Sequence, residues 1–541
     1  MYRKKIETKV IFIIIVLLFI TFLFTPLLIL LMNSLKSGKG IGFSNYYFIV
    51  HNKEFLIAIG HSIKVSVITS IITTILAFAL AYGVNCTKIF GPIKNMIKIG
   101  VSLPMLLPTI TYGFAIIYSF GKQGLLTKLF GRELFQIYGF NGLLTGYVIY
   151  TLPSAFLLIN NSFEYIDKKF IVVSKLMGDN FFRSFINTIF RPLIGTLGGA
   201  FVLSFILSFT DFGIPASVGG TYSVISTQLY EVMLGAIPNF NGGAAIAILM
   251  LIPAIFGVLF LNYLEKFNFN YDKFTNIELC KNKFRDISFS ILSVTIIVGI
   301  MLIFLVMFIA PFVKNYPYDM SFTSKLFKDT LATGDILDVY KNSFLVAIVS
   351  AIIGTITCYS AAIISARCNM NKSVKLIMDT FSMITNTVPG MVLGLAYLML
   401  FNRSDLKGTF IIIIICNIVH FFTTPYLMAK NSLSKMNPMW ETTGELMGDS
   451  WVKTMIRVII PNSKVTIVEM FGYYFINSMV TISAIIFLVT ARTSLLTSKI
   501  NELQHFQDFN KVFVLSILIF STNLFIKLGC ALVNKKIAIQ K

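Results

Sequence analysis

The chain contains 541 residues, of which 56% are hydrophobic and only 13% are charged, and its mean hydropathy is +0.80. Soluble domains carry about 25% charged residues, so this composition excludes an ordinary soluble protein. We attribute the formal net charge of +21 to basic loops beside a membrane, and no nucleic-acid partner is expected.

Twelve apolar runs follow one another along the chain, each long enough to cross a lipid bilayer as a helix of about 20 residues. In lipid the backbone must satisfy its own hydrogen bonds, so these runs predict an all-α polytopic membrane protein. The predicted spans are 10–32, 63–84, 98–119, 142–160, 193–213, 243–264, 287–312, 343–365, 377–401, 409–429, 465–490 and 512–533. An excess of Lys and Arg in the N-terminal segment and in alternate loops predicts that both termini are cytoplasmic. We expect a multi-pass membrane protein.

The second half of the chain repeats the first. Leu176-Met177-Gly178-Asp179 recurs as Leu446-Met447-Gly448-Asp449, and each string follows the fourth span of a set of six. Further pairs at a similar separation are Ser62 with Ser343, Pro108 with Pro389, and Gly113 with Gly394. Since each set has an even number of spans, both sets run in the same direction. The sequence therefore predicts two parallel six-helix repeats, 1–264 and 287–541, joined by a cytoplasmic linker at 265–286.

Each repeated string ends a short apolar stripe with helical spacing in a cytoplasmic loop. Gly178 and Gly448 follow the stripes, where glycine commonly ends a helix, and we expect Asp179 and Asp449 to cap the next helix. For one loop, an amphipathic helix on the membrane surface is an alternative. Two matched loops on the same side favour docking sites for a cytoplasmic partner. The expected docking residues are Phe170, Leu176, Met177, Gly178 and Asp179, then Trp440, Glu441, Leu446, Met447, Gly448 and Asp449.

These loops resemble the cytoplasmic signature of binding-protein-dependent ABC importer permeases, E-A-A-x3-G-x9-I-x-L-P. In the second loop, Glu441-Thr442-Thr443-Gly444 precedes Gly448, and Pro461 follows at the family's spacing. In the first loop, Val172-Val173-Ser174 replaces E-A-A, and Pro192 arrives one residue late. The resemblance covers nearly the whole chain and implies the type I ABC importer permease fold, in a bacterial cytoplasmic membrane.

The resemblance also implies partners and a task. Two copies of a cytoplasmic ABC ATPase would bind, one to each loop, and an external solute-binding protein would deliver the solute for import by alternating access. ATP would be used by the ATPase, so no cofactor is expected on this chain. Residues 210–215, 388–397 and 479–484 are most similar to fused permeases for 2-aminoethylphosphonate and share much of the ferric iron pattern, which gives two candidate solutes.

No residues of this chain indicate catalysis. It lacks a G-x4-G-K-[ST] phosphate loop and an HExxH motif, and its histidines are scattered, so we expect neither an enzyme nor a metal site. An ion-coupled secondary transporter with twelve helices and, less favoured, a polytopic membrane enzyme are the alternatives.

Five residues are candidates for the solute path between the two repeats: Pro108, Gly113, Asp211, Pro389 and Gly394. Intramembrane proline and glycine break or bend helices there, although ordinary kinking and close helix packing explain the same residues. For Asp211, near the outer end of the fifth span, the alternative is a cap on a re-entrant turn at 211–220.

Overall fold

A computed structural model describes residues 2–37, 40–163, 166, 169–264, 282–368, 370–506 and 508–539. Most of the predicted linker, 265–281, lies outside these described residues. The described chain is almost entirely helical, as predicted. Its only strands form two short antiparallel hairpins, Lys36–Ser37 (β1) with Gly40–Ile41 (β2), and Val313–Asn315 (β3) with Asp319–Phe322 (β4).

The first repeat contains fourteen described helices. They are α1 (Tyr2–Phe19), α2 (Thr25–Ser34), α3 (Ser44–His51), α4 (Lys53–Cys86), α5 (Gly91–Ser102), α6 (Thr109–Phe120), α7 (Leu125–Phe130), α8 (Phe140–Ser162), α9 (Lys169–Leu176), α10 (Phe181–Phe185), α11 (Arg191–Thr210), α12 (Gly213–Val218), α13 (Ile225–Leu234) and α14 (Phe240–Leu264).

The described helices of the second repeat follow the same order. They are α15 (Lys283–Ile309), α16 (Lys325–Ala332), α17 (Gly334–Arg367), α18 (Lys372–Ile384), α19 (Gly390–Phe401), α20 (Phe410–His420), α21 (Thr423–Ser434), α22 (Met439–Leu446), α23 (Trp451–Thr454), α24 (Ile460–Asn462), α25 (Lys464–Val480), α26 (Leu496–His505) and α27 (Phe509–Ile539).

Eight continuous helices in the described chain are long and apolar enough to cross a membrane, and three bent pairs raise the number to eleven. The third, ninth and tenth predicted spans are the bent ones, with angles of 108°, 102° and 52° between their two helices. The eleventh prediction, 465–490, is wrong in extent. Its helix α25 has only 17 residues and ends at Val480, because the backbone becomes extended at Thr481.

The two sharpest bends occur at the matched prolines, as predicted. Pro108 and Pro389 each have an extended backbone and stand immediately before helices α6 and α19. Proline lacks a backbone N–H and disfavours a helical conformation in the residue before it, so the incoming helix stops there. Proline alone is insufficient, however, since Pro153 lies inside the continuous helix α8.

The internal repeat extends to individual hydrogen bonds. The buried hydroxyl of Ser62 on α4 accepts the backbone N–H of Ile225 at the start of α13, at 2.8 Å. The buried hydroxyl of Ser343 on α17 accepts the backbone N–H of Leu496 at the start of α26, at 2.7 Å. The next residue of each of these two helices also makes a matched bond: Ser226 donates to the Asp211 carbonyl at 2.7 Å, and Thr497 to the Thr481 carbonyl at 2.9 Å.

The first helices of each repeat pack against the other repeat. Helix α1 contacts α17, and α2 packs between α19 of the second repeat and α14 of its own; the Tyr397 hydroxyl donates to the Phe22 carbonyl at 2.6 Å. Conversely, α15 contacts α4, α5 and α6, and the Ser119 hydroxyl donates to the Ile303 carbonyl at 3.3 Å. We call these crossing segments, α1–α2 and α15, the exchanged helices.

Candidate functional site

The two matched loops lie at one end of the helix bundle, which we call the loop end. Helices α9 and α10 follow α8 in the first repeat, and α22 and α23 follow α21 in the second. Gly178 and Gly448 lie after α9 and α22 with φ of +82° and +77°. Glycine adopts this left-handed conformation without the steric cost that other residues incur, so the helices end there as predicted.

The predicted role of the two aspartates as helix caps is wrong. Asn180 caps α10 by accepting the Arg183 N–H at 2.8 Å, and Ser450 caps α23 by accepting the Lys453 N–H at 3.3 Å. Asp179 stands one residue too early, and it accepts a hydrogen bond from Ser174 at 2.7 Å instead. Both aspartates also form ion pairs within their own loops, Asp179 with Arg183 and Asp449 with Lys453.

The most exposed apolar side chains of the loops are at their tips. Leu176, Met177, Leu446 and Met447 are each between 78 and 84% exposed. Leu176 and Leu446 end the short helices α9 and α22, and Met177 and Met447 begin the turns that follow. These positions are outside the spanning helices, where contact with lipid tails does not explain their exposure. Phe170 is also exposed, whereas Trp440 is half-buried. Two small apolar knobs therefore project from the loop end at equivalent positions, and exposed apolar clusters of this kind mark interaction surfaces.

Each loop is joined to its following span through a π-helical turn. These turns are Ile186–Phe190 before α11 and Met455–Ile459 before α24 and α25. A π-helix contains an additional residue per turn relative to an α-helix and commonly occurs at functional sites. The sequence reasoning missed both turns, because no residue type distinguishes them from α-helix.

The second loop is anchored by a nearly buried ion pair. Arg367, the last residue of α17, donates from Nε and Nη2 to the two carboxylate oxygens of Glu441 at 2.6 and 2.5 Å. Its guanidinium also donates to the carbonyls of Leu433, Met436 and Asn437, at 3.3, 2.8 and 2.9 Å. One side chain thus connects the end of α17, the end of α21 and the docking helix α22.

The first loop cannot form this ion pair. At the repeat separation, Cys86 takes the place of Arg367 and Ile171 takes the place of Glu441. Beneath the first loop is a cavity of 220 Å³, lined by Phe170, Met177 and Asp179 among others. The two loops therefore share their tips and glycines but differ in their attachment. Sequence analysis matched Glu441 to a motif but gave no signal for its distant partner.

The candidate path residues have structural roles that can be stated separately. A Cβ atom on Gly113 would lie 1.7 Å from the Ser217 hydroxyl, and one on Gly394 would lie 2.4 Å from the Ala484 carbonyl oxygen. Both glycines let α6 and α19 approach the segment that follows the fifth or eleventh span. The Asp211 carboxylate, one residue before the N-cap Phe212, accepts the Ile214 N–H in the first turn of α12 at 2.9 Å. A role in the solute path stays a prediction for these residues and for the prolines.

Among the described residues, no group of three or more His, Cys, Asp or Glu side chains is placed to hold a metal ion. A second cavity, of 380 Å³, lies at the end of the bundle opposite the loop end. It is lined by residues that follow the fifth span and by residues of α26, and we call it the outer pocket.

Comparison with known proteins identifies relatives of both repeats. A family model described as "Binding-protein-dependent transport system inner membrane component" matches residues 73–268 and again residues 358–539. The putative ferric transport system permease protein FbpB 1 of Haemophilus influenzae is 24% identical over 433 residues, which are 76% of this chain and 67% of that protein. The ferric transport system permease protein FbpB of Actinobacillus pleuropneumoniae is 25% identical over 441 residues, 78% of this chain and 63% of that protein. The chain thus spans about two thirds of the length of these relatives.

A third relative matches over a shorter region. The spermidine/putrescine transport system permease protein PotC homolog of Mycoplasma genitalium is 23% identical over 233 residues, which are 40% of this chain and 79% of that protein.

Proposed function

Because the chain belongs to the family of binding-protein-dependent transport system inner membrane components, we propose that it is the permease subunit of an ATP-driven importer whose ATPase docks on the two loops. Family membership makes the chain a fused, two-repeat transport component with several candidate membrane spans. The alternatives of a secondary transporter and a membrane enzyme are accordingly set aside.

The observation that carries the docking proposal is the pair of exposed apolar tips. Leu176 and Met177 on one loop, and Leu446 and Met447 on the other, remain exposed at the loop end. A partner with two equivalent subunits would bury both tips in the same way. Apolar anchors that fill a pocket on a partner commonly supply most of the binding energy of an interface.

We propose that these loops transmit motion from a pair of ATPase subunits. Closure of the ATPase pair on ATP would draw the loops together, and the attached spans would tilt and change access from one side of the membrane to the other. ATP favours one of two conformations only through its differential affinity for them. In this arrangement the loop end and both chain termini face the cytoplasm, and a solute-binding protein docks at the opposite end.

Ferric iron is our first candidate solute, because two relatives of this chain are ferric transport system permeases by name. The second candidate, 2-aminoethylphosphonate, rests on the sequence stretches 210–215, 388–397 and 479–484. Both solutes would be delivered by an external binding protein, and this protein rather than the permease would set most of the affinity.

Co-purification from the native membrane tests the docking proposal. We expect an ATPase containing a phosphate-loop motif, at two copies per permease. Replacing Leu446 and Met447 together by serine should strongly reduce its recovery while leaving the yield of folded permease unchanged, since neither side chain is buried. Ile237→Ser, at an equally exposed apolar residue distant from the loops, is the matched control. Full ATPase recovery with serine at both Leu446 and Met447 would contradict the proposal.

A further inference from the structure

The 220 Å³ cavity beneath the first loop, which we call the loop cavity, is bounded by both parts of that loop. Phe170, Ser174 and Met177 line it from α9 and its tip, and Thr188 lines it from the π-helical turn before α11. Among the described residues that line it, only Asp179 is charged. Because Met177 also belongs to the exposed tip, the loop cavity is continuous with the proposed docking surface.

Two differences in sequence keep the first loop more open than the second. Gly444 takes the place of Ser174 in the second loop, and a Cβ atom on Gly444 would lie 2.5 Å from the Thr454 hydroxyl. A side chain at this position, such as that of Ser174, prevents equally close packing of the docking helix on the next one. Trp440 takes the place of Phe170 and packs half-buried against the core, whereas the smaller Phe170 ring is exposed.

The size and the lining of the loop cavity suit an apolar side chain. An apolar cavity of about 150 Å³ holds one benzene molecule, so 220 Å³ accommodates one phenyl or branched aliphatic group. The facing apolar walls forgo the dispersion contacts that an occupant would restore. An anionic or strongly polar group would meet Asp179 and few donors. The loop cavity is therefore matched to an aliphatic or aromatic side chain from a docked protein.

We propose that the loop cavity receives one apolar side chain of the ATPase subunit that docks on the first loop. This subunit is then held by the projecting tip and by its own side chain inserted beside that tip. The other subunit meets a loop that is anchored internally by Arg367 and Glu441. The two docking sites are therefore unequal for a pair of identical ATPase subunits. The inference rests on the proposed importer function and adds a second contact to the first docking site.

Filling the loop cavity from within the permease tests this inference. Ser174→Leu extends an apolar side chain into the cavity, whereas Ser174→Ala loses the same hydroxyl and leaves the cavity open. Each permease in nanodiscs is mixed, without nucleotide, with the ATPase that co-purifies with the parent, and native mass spectrometry counts the bound subunits. We expect Ser174→Leu to weaken one of the two ATPase sites by about tenfold or more, as loss of a central anchor does, and Ser174→Ala to have a much smaller effect. Val172→Leu, at an exposed residue of α9 that does not line the cavity, should bind as the parent does.

Two further changes separate filling of the cavity from distortion of the loop. Phe170→Trp copies the larger ring of the second loop and retains the Ser174 hydroxyl, and it should weaken the same ATPase site. Photo-crosslinking from p-benzoylphenylalanine in place of Met177 locates the inserted ATPase residue. Replacing that residue by alanine should weaken binding to the parent permease but should add nothing to the effect of Ser174→Leu, since interacting sites are not additive.

Two results would overturn the inference. One is ATPase affinity in Ser174→Leu that equals or exceeds the affinity in Ser174→Ala, because the loop cavity would then be only a gap in the packing of the permease. The other is full additivity of Ser174→Leu and the alanine change in the ATPase. In either case, loss of the ATPase on replacing Leu446 and Met447 by serine would still support the importer. A parent permease that binds no ATPase would refute the importer and this inference together.

Discussion

Replacement of Arg367 by methionine should release the second docking helix from the spans. The substitution keeps an unbranched apolar stem and removes the guanidinium that binds Glu441 and three backbone carbonyls. The Arg367 and Glu441 side chains are only 4% and 11% exposed. Loss of one member of a buried ion pair costs about 3–5 kcal/mol. Glu441 lies at the end of the bundle and can turn toward water, so we expect the lower figure.

The predicted loss of about 3 kcal/mol in Arg367→Met should make local opening of α22 more frequent. About 3 kcal/mol corresponds to roughly a hundredfold change in an equilibrium constant. Amide hydrogen exchange across 439–446, measured by mass spectrometry in nanodiscs, should therefore accelerate by about that factor. Glu441→Gln should have a smaller effect, about 1–2 kcal/mol, because Arg367 retains its carbonyl partners and a neutral acceptor.

Lys453→Met is the matched control for this experiment. It removes a basic side chain from the same loop and breaks an ion pair with Asp449 whose partners are 45 and 25% exposed. Solvent screening limits such a pair to less than about 1 kcal/mol. If Arg367→Met and Lys453→Met gave the same exchange rates across 439–446, the anchoring role of Arg367 would be refuted.

Three further predictions concern the repeated elements. Gly394→Ala should lower the free energy of unfolding of the permease by about 1–3 kcal/mol, because the added Cβ overpacks against Ala484. The control Gly299→Ala in α15 should not lower it, since a Cβ there meets nothing within 4 Å. Equal stability of the two variants in thermal unfolding would disprove the close approach. Ser62→Ala should lower the local stability at the start of α13 by about 1–3 kcal/mol, since the buried Ile225 N–H loses its acceptor. Amide hydrogen exchange should become faster at the start of α13 alone, and unchanged exchange there would contradict the bond. Replacing both Gly178 and Gly448 by Val should add about 1–3 kcal/mol of backbone strain at each position and should reduce ATPase recovery. Replacing both by Asn, which tolerates positive φ, should preserve ATPase recovery. Identical recovery with Val and Asn would refute the strain argument.

Composition and spacing were enough to predict the all-α membrane fold, the parallel repeat and the glycines that end α9 and α22. Apolar runs and repeated strings are local properties, so they remain readable in a single sequence. The sequence predicted Asp179 as the cap of α10, whereas the cap is Asn180, one residue later. Both residue types are good caps, so only the backbone path distinguishes them. The bends at Pro108 and the continuity at Pro153 also depend on the neighbouring helices rather than on proline itself.

Contacts between distant segments were beyond the reach of the sequence. Arg367 and Glu441 are separated by 74 residues, and nothing near either position identifies the other. The outer pocket combines residues of α13 and α26, which belong to different repeats. The crossing of α1–α2 and α15 to the opposite repeat was likewise unforeseen, because an apolar helix surface does not specify its neighbour.

The exchanged helices change which spans belong to each structural unit. A division of the chain at its linker separates two repeats in sequence, yet α1–α2 are held on the second repeat by Tyr397, and α15 is held on the first by Ser119. In the proposed transport mechanism, each tilting unit would therefore consist of five spans of one repeat together with the first span of the other. The connections from α2 to α4 and from α15 to α17 run between the two units. In the proposed motion, the segments that would bend are β1 and β2 with α3, and β3 and β4 with α16. Because these two connections join the units independently of the linker, we expect a permease whose linker has been cut to remain a single assembly.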